Sequence, residues 1–528
     1  MLAPLFALLL ASGNAPTDPP IRPSADPPVH PRLVVLLVVD QLRPDQLLRY
    51  RAEWTGGFKQ ALERGAVYSH GLQDHAITQT APGHATLLSG RFPAHTGIVT
   101  NDIGVVDSLA RVIRDSGAVG ASPRRFGGTT LVDWLIARDS ATRVLSVSRK
   151  DRGAILPVGR AKSEVYWWSD RGFVSTSRYY RNTLPDWVAA WNARGPVARL
   201  AGRTWDLLRP AATYPEADAS RYERGRDGRD AFPHRLTDRM PDAGAWLKHF
   251  PWMDSLTLDV ALDGAHALGL GRRGAGRTDV LSISLSATDD VGHDFGPDSR
   301  EIHDQLLRLD QWLGWFMDSL AREVPPSETV FVLTSDHGSL PIPELIPAAQ
   351  GGGGRIWPAG LSAGLRRKLG SRWHSDFGFR FDYGLLVADV SALQARGVAV
   401  DSLRAALAQE LSARQGIARV FTPATLASAP PSDRMAARWK RTIPSDIEWL
   451  VAVVPKENMS WSTDSVGANH GTPAELDVLV PIVLWGSGIR SGEHSRPVRT
   501  VDIAPTLARL LGIRPTERLD GVPLGEVE

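Results

Sequence analysis

The chain has 528 residues, 43% of them hydrophobic and 22% charged, with a formal net charge of +2. A near-neutral balance without basic blocks gives no electrostatic footprint for nucleic acid, and the absence of cysteine excludes disulfide staples and thiolate metal sites. The length allows a large buried core, unbroken by low-complexity tracts or fixed-period repeats.

Residues 1–15 form an apolar run that ends in small residues at Ala15. It is shorter than the roughly 20 residues needed to cross a bilayer. It reads as a cleaved signal peptide without the usual positive start, and predicts export to the periplasm or beyond. Residues 16–31 are Pro-rich and read as a linker, which leaves residues 32–528 as one folded domain. No later segment has the length and freedom from charge of a stable membrane span.

Five apolar, β-branched runs then read as strands buried on both faces: Leu33–Val39, Arg143–Ser148, Asp279–Leu285, Thr329–Thr334 and Asp477–Trp485. Helical patterns lie between them, for example Arg300–Glu323 and Leu403–Arg414. This alternation predicts an α/β fold with a mainly parallel central sheet. Stretches rich in Trp, Arg, Pro and Gly, about 155–275 and 345–445, read as inserted segments that cap one sheet edge.

Charged residues follow the strands. Asp40 comes after the first, Lys150 and Arg152 after the second, Asp289 after the third, and Asp336 with His337 after the fourth. Ligands of open α/β sheets bind beyond the carboxyl ends of the strands, so this edge is the candidate site. Asp289 and His293 are spaced to face one ion, Asp336–His337 supplies another pair, and His470 sits on a turn. Without cysteine, a binuclear site would need two such sets of oxygen and nitrogen ligands. His70, His75 and His95 read as structural or surface residues, and His234, His249, His266 and His303 have no partner at ligand spacing.

Between Thr78 and Gly90 a turn opens a short helix, with Pro82 expected at the first helical position and Thr80 just ahead of it. A hydroxyl at a helix N-terminus either caps the helix or meets an anion there.

The run Thr80–His84, followed by His95–Asn101, resembles the nucleophile region of the alkaline phosphatase superfamily. It is closest to the branch that holds nucleotide pyrophosphatases and PafA-type alkaline phosphatases. The segments around Asp289–His293, Asp336–His337 and His470 follow in the family's order, and the resemblance extends to Val501–Gly512 and Asp520. It implies an alkaline phosphatase-like α/β sandwich over residues 32–528 and a two-zinc site that acts on phosphate esters. Asp289, His293 and His470 would hold one zinc; Asp40, Asp336 and His337 would hold the other, together with the oxygen of the nucleophile Thr80.

Lys150 and Arg152 resemble the Lys-x-Arg segment of PafA-type phosphatases, where they contact non-bridging phosphate oxygens together with an Asn that matches Asn101. A monoester dianion carries an extra charged oxygen for such cations to neutralise. The expected activity is therefore monoester hydrolysis through a phosphothreonine, by a chain expected to be monomeric. The alternatives are a nucleotide pyrophosphatase/phosphodiesterase, a phosphonoacetate hydrolase or an inactive binding scaffold; a sulfatase would need Cys or Ser in place of Thr80. Where many relatives carry an aromatic pair after Asn101–Asp102, this chain has Ile103–Gly104; Trp167, Trp168, Phe173 and Tyr179 are candidate rim aromatics.

Overall fold

Continuous Val/Leu runs are stable only where both faces are covered, and Leu33–Val39 (β1) is buried along its whole length. In the computed structural model, which describes residues 31–373 and 378–526, β1 is a central strand of a ten-stranded sheet. The expected signal peptide, and the linker through residue 30, lie outside the described residues.

The other strands of this sheet include Ala66–Leu72 (β2), Val144–Ser148 (β3), Glu164–Trp168 (β4), Val174–Ser175 (β5), Asp279–Leu285 (β6) and Thr329–Thr334 (β7). β1 pairs in parallel with β6 and β7, and β3 with β4 and β6. The last expected strand, observed at Leu479–Gly486, runs antiparallel to β2 and β7, so the sheet is mixed but mostly parallel. Alternation along β1 feeds two cores: Leu33, Val35, Leu37 and Val39 pack on one side, and Val34, Leu36 and Val38 on the other.

The two expected insertions differ in kind. The span 155–275 divides between sheet and cap, because β4, β5 and the sheet-covering helix Trp252–Leu268 fall inside it. The second is a layer of its own, built on a four-stranded sheet of Arg380–Asp382, Leu385–Val387, Ile417–Phe421 and Trp449–Pro455. It is welded to the main body by a shared apolar cluster in which Leu385, Phe421, Trp439 and Ala452 meet Ala76, Ile77 and Val99. Ala76 and Ile77 lead directly into the segment that carries Thr80. Among the described residues no helix is long and apolar enough to cross a membrane.

The helix Thr80–Leu87 (α1) packs against the loop after β7 through Gly83. A Cβ on Gly83 would lie 2.0 Å from the Asp336 carbonyl oxygen. Gly83→Ala is therefore expected to lower the unfolding free energy by about 1–3 kcal/mol through overpacking. Gly360→Ala is the control, since its nearest neighbour lies at 4.0 Å and alanine favours the helix; it should be neutral or stabilising. Chemical denaturation of both variants checks the contrast.

Candidate active site

The carboxyl ends of β1, β3, β6 and β7 deliver their charged residues to one place. Asp40 ends β1 and donates its backbone N–H to the Leu285 carbonyl at the end of β6, 2.9 Å away. The next residue, Gln41, has φ of 68°, a left-handed conformation rare outside glycine. That turn aims its side-chain amide at Asp289 Oδ1 (2.9 Å) and its backbone N–H at Asp336 Oδ1 (3.3 Å). Gly292 fits the same design: a Cβ there would stand 1.9 Å from the Gln41 side-chain oxygen.

The three expected histidine ligands share one device. His293 Nδ1 lies 2.8 Å from the Ala468 carbonyl, His337 Nδ1 lies 3.0 Å from the Gly338 carbonyl, and His470 Nδ1 lies 2.6 Å from the Thr78 carbonyl. A carbonyl only accepts, so each Nδ1 carries a proton and each Nε2 is the nitrogen left to face the centre. His293 Nε2 and His470 Nε2 lie 3.3 and 3.4 Å from Asp289 Oδ1. His337 Nε2 lies 3.4 Å from Asp40 Oδ1 and 3.5 Å from Asp336 Oδ2.

Two compact groups result, Asp289–His293–His470 and Asp40–Asp289–His337, each with ligand atoms within 4.8 Å of one another. The first is the set expected from the resemblance. In the second Asp289 is shared, and Asp336 stands beside His337. Among the described residues buried Asp40 Oδ1 and His337 Nε2 have no hydrogen-bond partner, and Asp336 Oδ2 has only the His84 ring beside it. Orphaned acceptors of this kind, converging at one point, fit divalent cations. Asp336 is steadied from behind by buried His84, whose Nδ1 lies 3.2 Å from Asp336 Oδ2 and 2.9 Å from the Thr80 carbonyl.

Electrostatics agree. Burial, reinforced by the Asp336 carboxylate, pushes Asp40 well above the usual carboxyl range. Burial acts the same way on Asp289, but the Lys150 ammonium and then His293 hold it well below that range. Burial lowers His337 to about 3, while Asp289 overcomes burial to raise His293 to about 9.

Lys150 lies deeper than its expected role suggests. Its Nζ bridges Asp40 Oδ2 (2.5 Å) and Asp289 Oδ2 (2.6 Å) and comes within 3.5 Å of Thr80 Oγ1. Arg152 instead lines the open cavity, and among the described residues its buried Nε has no partner.

Thr80 opens α1, two residues earlier than Pro82 predicts, because Gln79 takes the cap position. Pro82 still lies in the first turn, whose N–H groups lack helical partners, so its missing donor costs nothing there. Asn101 Oδ1 accepts the Ala81 N–H (2.9 Å), which leaves its amino group to donate elsewhere. Gln79 Oε1 accepts the Asn101 N–H (3.0 Å), and Gln79 lines the same cavity as Tyr383. Gly104 lies close under this turn, since a Cβ there would be 2.8 Å from the Asn101 carbonyl oxygen.

Tyr383 is the rim aromatic, and sequence reading missed it. Trp167 and Trp168 are buried in β4, and Tyr179 stacks on Lys162. Tyr383 and Gly384, with φ of 46° and 95°, form a two-residue turn joining the strands Arg380–Asp382 and Leu385–Val387, and so carry the ring out of the cap. The x-Tyr-Gly-x turn was the available signal. The cavity they share holds about 550 Å³ and is lined by Thr80, Asn101, Arg152, His293, His470 and Tyr383, among others. His249, read as a residue without a partner, also reaches it.

Comparison with known proteins identifies the family. Residues 34–350 match the family model described as type I phosphodiesterase / nucleotide pyrophosphatase. The chain is 31% identical over 520 residues to a Myroides odoratus protein named calcium-transporting ATPase, covering 94% of each chain. It is 30% identical over 535 residues to alkaline phosphatase PafA of Elizabethkingia meningoseptica, again covering 94% of each. A crystal structure of wild-type alkaline phosphatase PafA superposes with a TM-score of 0.88 at 28% identity, covering 96% of this chain and all of that one. The chain therefore belongs to the alkaline phosphatase superfamily, within its type I phosphodiesterase / nucleotide pyrophosphatase family.

Proposed function

We propose that the chain is an exported, monomeric alkaline phosphatase that holds two zinc ions and hydrolyses phosphate monoesters through a phosphothreonine at Thr80. The observation that carries this reading is the convergence in one place of Thr80 Oγ1, two Asp/His groups and the side chains of Lys150, Arg152 and Asn101. Relatives named alkaline phosphatase, matched along nearly the whole of both chains, support monoester hydrolysis.

Asp289, His293 and His470 would hold one ion, and Asp40, Asp336 and His337 the other, and the Asp289 carboxylate belongs to both compact groups. Zinc, when bound, supplies positive charge that acidifies an attached oxygen and neutralises phosphoryl oxygens. In this reading the Thr80 hydroxyl gives its proton to solvent and its oxygen attacks phosphorus, the bond to the leaving-group oxygen breaks, and that oxygen takes up a proton from solvent in return. Water then cleaves the phosphothreonine, restoring the Thr80 hydroxyl and releasing phosphate. Arg152 and the Asn101 amino group bind non-bridging oxygens, and Lys150 places its charge beside Thr80. Gln79 is a positioning residue, since it holds the Asn101 backbone in the cavity it shares with Tyr383.

Elemental analysis of the active enzyme should find two zinc ions per chain. Chelation should abolish turnover and added zinc restore it. Thr80→Ala should keep the metal and lose turnover, while Thr80→Ser retains part of it, because serine keeps the attacking oxygen.

Substrate class is read from cations. Lys150→Ala and Arg152→Ala should each cost on the order of 10²–10³ in kcat/KM on a nitrophenyl phosphate and much less on its bis-ester, which presents less charge. Equal losses on both esters, with metal intact, would favour the phosphodiesterase reading.

Gln79→Leu removes the hydrogen bond to the Asn101 N–H, worth about 1 kcal/mol, and the polar group beside Tyr383. It should lower kcat by roughly tenfold with zinc content unchanged, and Gln79→Glu, which keeps the acceptor for the Asn101 N–H, should lose less.

A further inference from the structure

The cavity over Thr80 is far larger than a phosphoryl group. At about 550 Å³ it falls in the size range of sites for whole small molecules. Its wall beyond the metal ligands is contributed by a loop that carries Arg224 and Arg226, neither of which the family resemblance uses.

That loop is built, not draped. Its start is tied down where the Tyr222 carbonyl accepts the Gly467 N–H at 2.7 Å. The Arg224 N–H donates to the Asp294 carbonyl (3.1 Å), one residue after the ligand His293, and the Gly225 N–H donates to the Arg229 carbonyl (2.7 Å). Gly225 packs so closely that a Cβ would lie 2.8 Å from the Phe295 ring. Arg226 Nε donates to Nε2 of buried His249 (2.8 Å), whose Nδ1 faces Asp294 Oδ2 at 2.7 Å. One edge of the Arg226 guanidinium is thus fixed, and its terminal nitrogens have no hydrogen-bond partner among the described residues.

The charge count points the same way. Asp289 is taken up by Lys150, Asp290 faces Lys248 and His249, and Asp294 faces His249. Asp464 is the one carboxylate of this wall without a charged partner among the described residues. Against it, neither Arg224 nor Arg226 has a carboxylate within ion-pair distance among the described residues, although both side chains are exposed at the cavity. Two unpaired guanidinium groups on a pinned loop, in the same cavity as Arg152, make a second anion-binding wall.

We propose that Arg224 and Arg226 form a subsite for a second phosphate on the leaving group, so that the preferred substrates are bisphosphates. The proposal rests on the phosphatase reading, because it places the scissile phosphate at Thr80. Phosphate is the anion that the planar guanidinium fork suits, and the fixed edge of Arg226 lowers the cost of ordering it.

The test compares straight-chain diol monophosphates with the corresponding bisphosphates, three to six carbons long, on the zinc-loaded full-length enzyme. At the best chain length the bisphosphate should exceed the monophosphate about tenfold in kcat/KM, through KM, beyond the twofold statistical factor of having two ends. The Arg224→Ala/Arg226→Ala double variant should lose that advantage while changing by less than about twofold on the monophosphate. Arg224→Glu, at an exposed and unpaired position where folding is not at risk, should make the bisphosphate the poorer substrate. Calorimetric binding of the bisphosphate to Thr80→Ala, with and without the two arginines, reads the subsite without turnover and should weaken about tenfold when they are removed. If the wild type hydrolyses no monoester yet this binding difference holds, the phosphatase reading falls and the subsite stands. Equal kcat/KM for mono- and bisphosphate in the wild type, or equal binding with and without the arginines, overturns the proposal.

Discussion

Three carboxylates, Asp40, Asp289 and Asp336, are buried together at the edge of the sheet, where the one ammonium, that of Lys150, reaches only Asp40 and Asp289. Unpaired buried charge costs several kcal/mol per ion, and one lysine cannot offset three. The surrounding structure follows from this imbalance. His337, His293 and His470 each donate Nδ1–H to a backbone carbonyl, which turns Nε2 toward the carboxylates and adds to a set of acceptors that a cation would satisfy. Gln41 accepts a left-handed backbone to bring one amide to each half of the cluster. Such an arrangement is stable as a cation site and expensive as anything else.

Chemistry and selectivity come from different layers. The sheet edge supplies Asp40, Lys150, Asp289 and Asp336 from strands buried on both faces, where backbone position is held by pairing on each side. The cavity walls come from the segments laid over that edge: Tyr383 from a tight hairpin, Arg224 and Arg226 from a pinned loop, and His249 ahead of the helix Trp252–Leu268. The apolar cluster joining Leu385 and Phe421 to Ala76 and Ile77 couples the cap to the strand-to-helix segment that carries Thr80. A family scaffold can thus keep its reaction while its loops alter what fits above it.

Much of the site was legible because charge at the ends of apolar runs is improbable unless used. Asp40, Asp289, Asp336 and His337 directly follow or nearly follow strand patterns that the structure reproduces almost residue for residue, at Leu33–Val39, Asp279–Leu285 and Thr329–Thr334. Family resemblance added the order in which Thr80, Asn101, Lys150, Arg152 and His470 are used. The same reasoning erred on extent at 155–275, since a Trp-rich strand on a sheet edge, Glu164–Trp168, looks like cap by composition. It also placed the helix start at Pro82 instead of Thr80, because proline is tolerated anywhere in the first turn and does not fix its first residue.

By itself the sequence determined the sheet, its binding edge and the residue types that exclude thiolate chemistry, because those follow from hydrophobic period and from side-chain inventory along the chain. Tertiary structure alone decided how the groups are shared: that Asp289 stands in both ligand groups, that Lys150 lies between two carboxylates, and that Gln79 holds Asn101 in the cavity it shares with Tyr383. It also decided which of the many aromatics and arginines reach the cavity. These arrangements bring together residues far apart in the chain, as with Gln79 and Tyr383 around one cavity. No local pattern encodes them, since they depend on how the cap packs onto the sheet and not on any period within either.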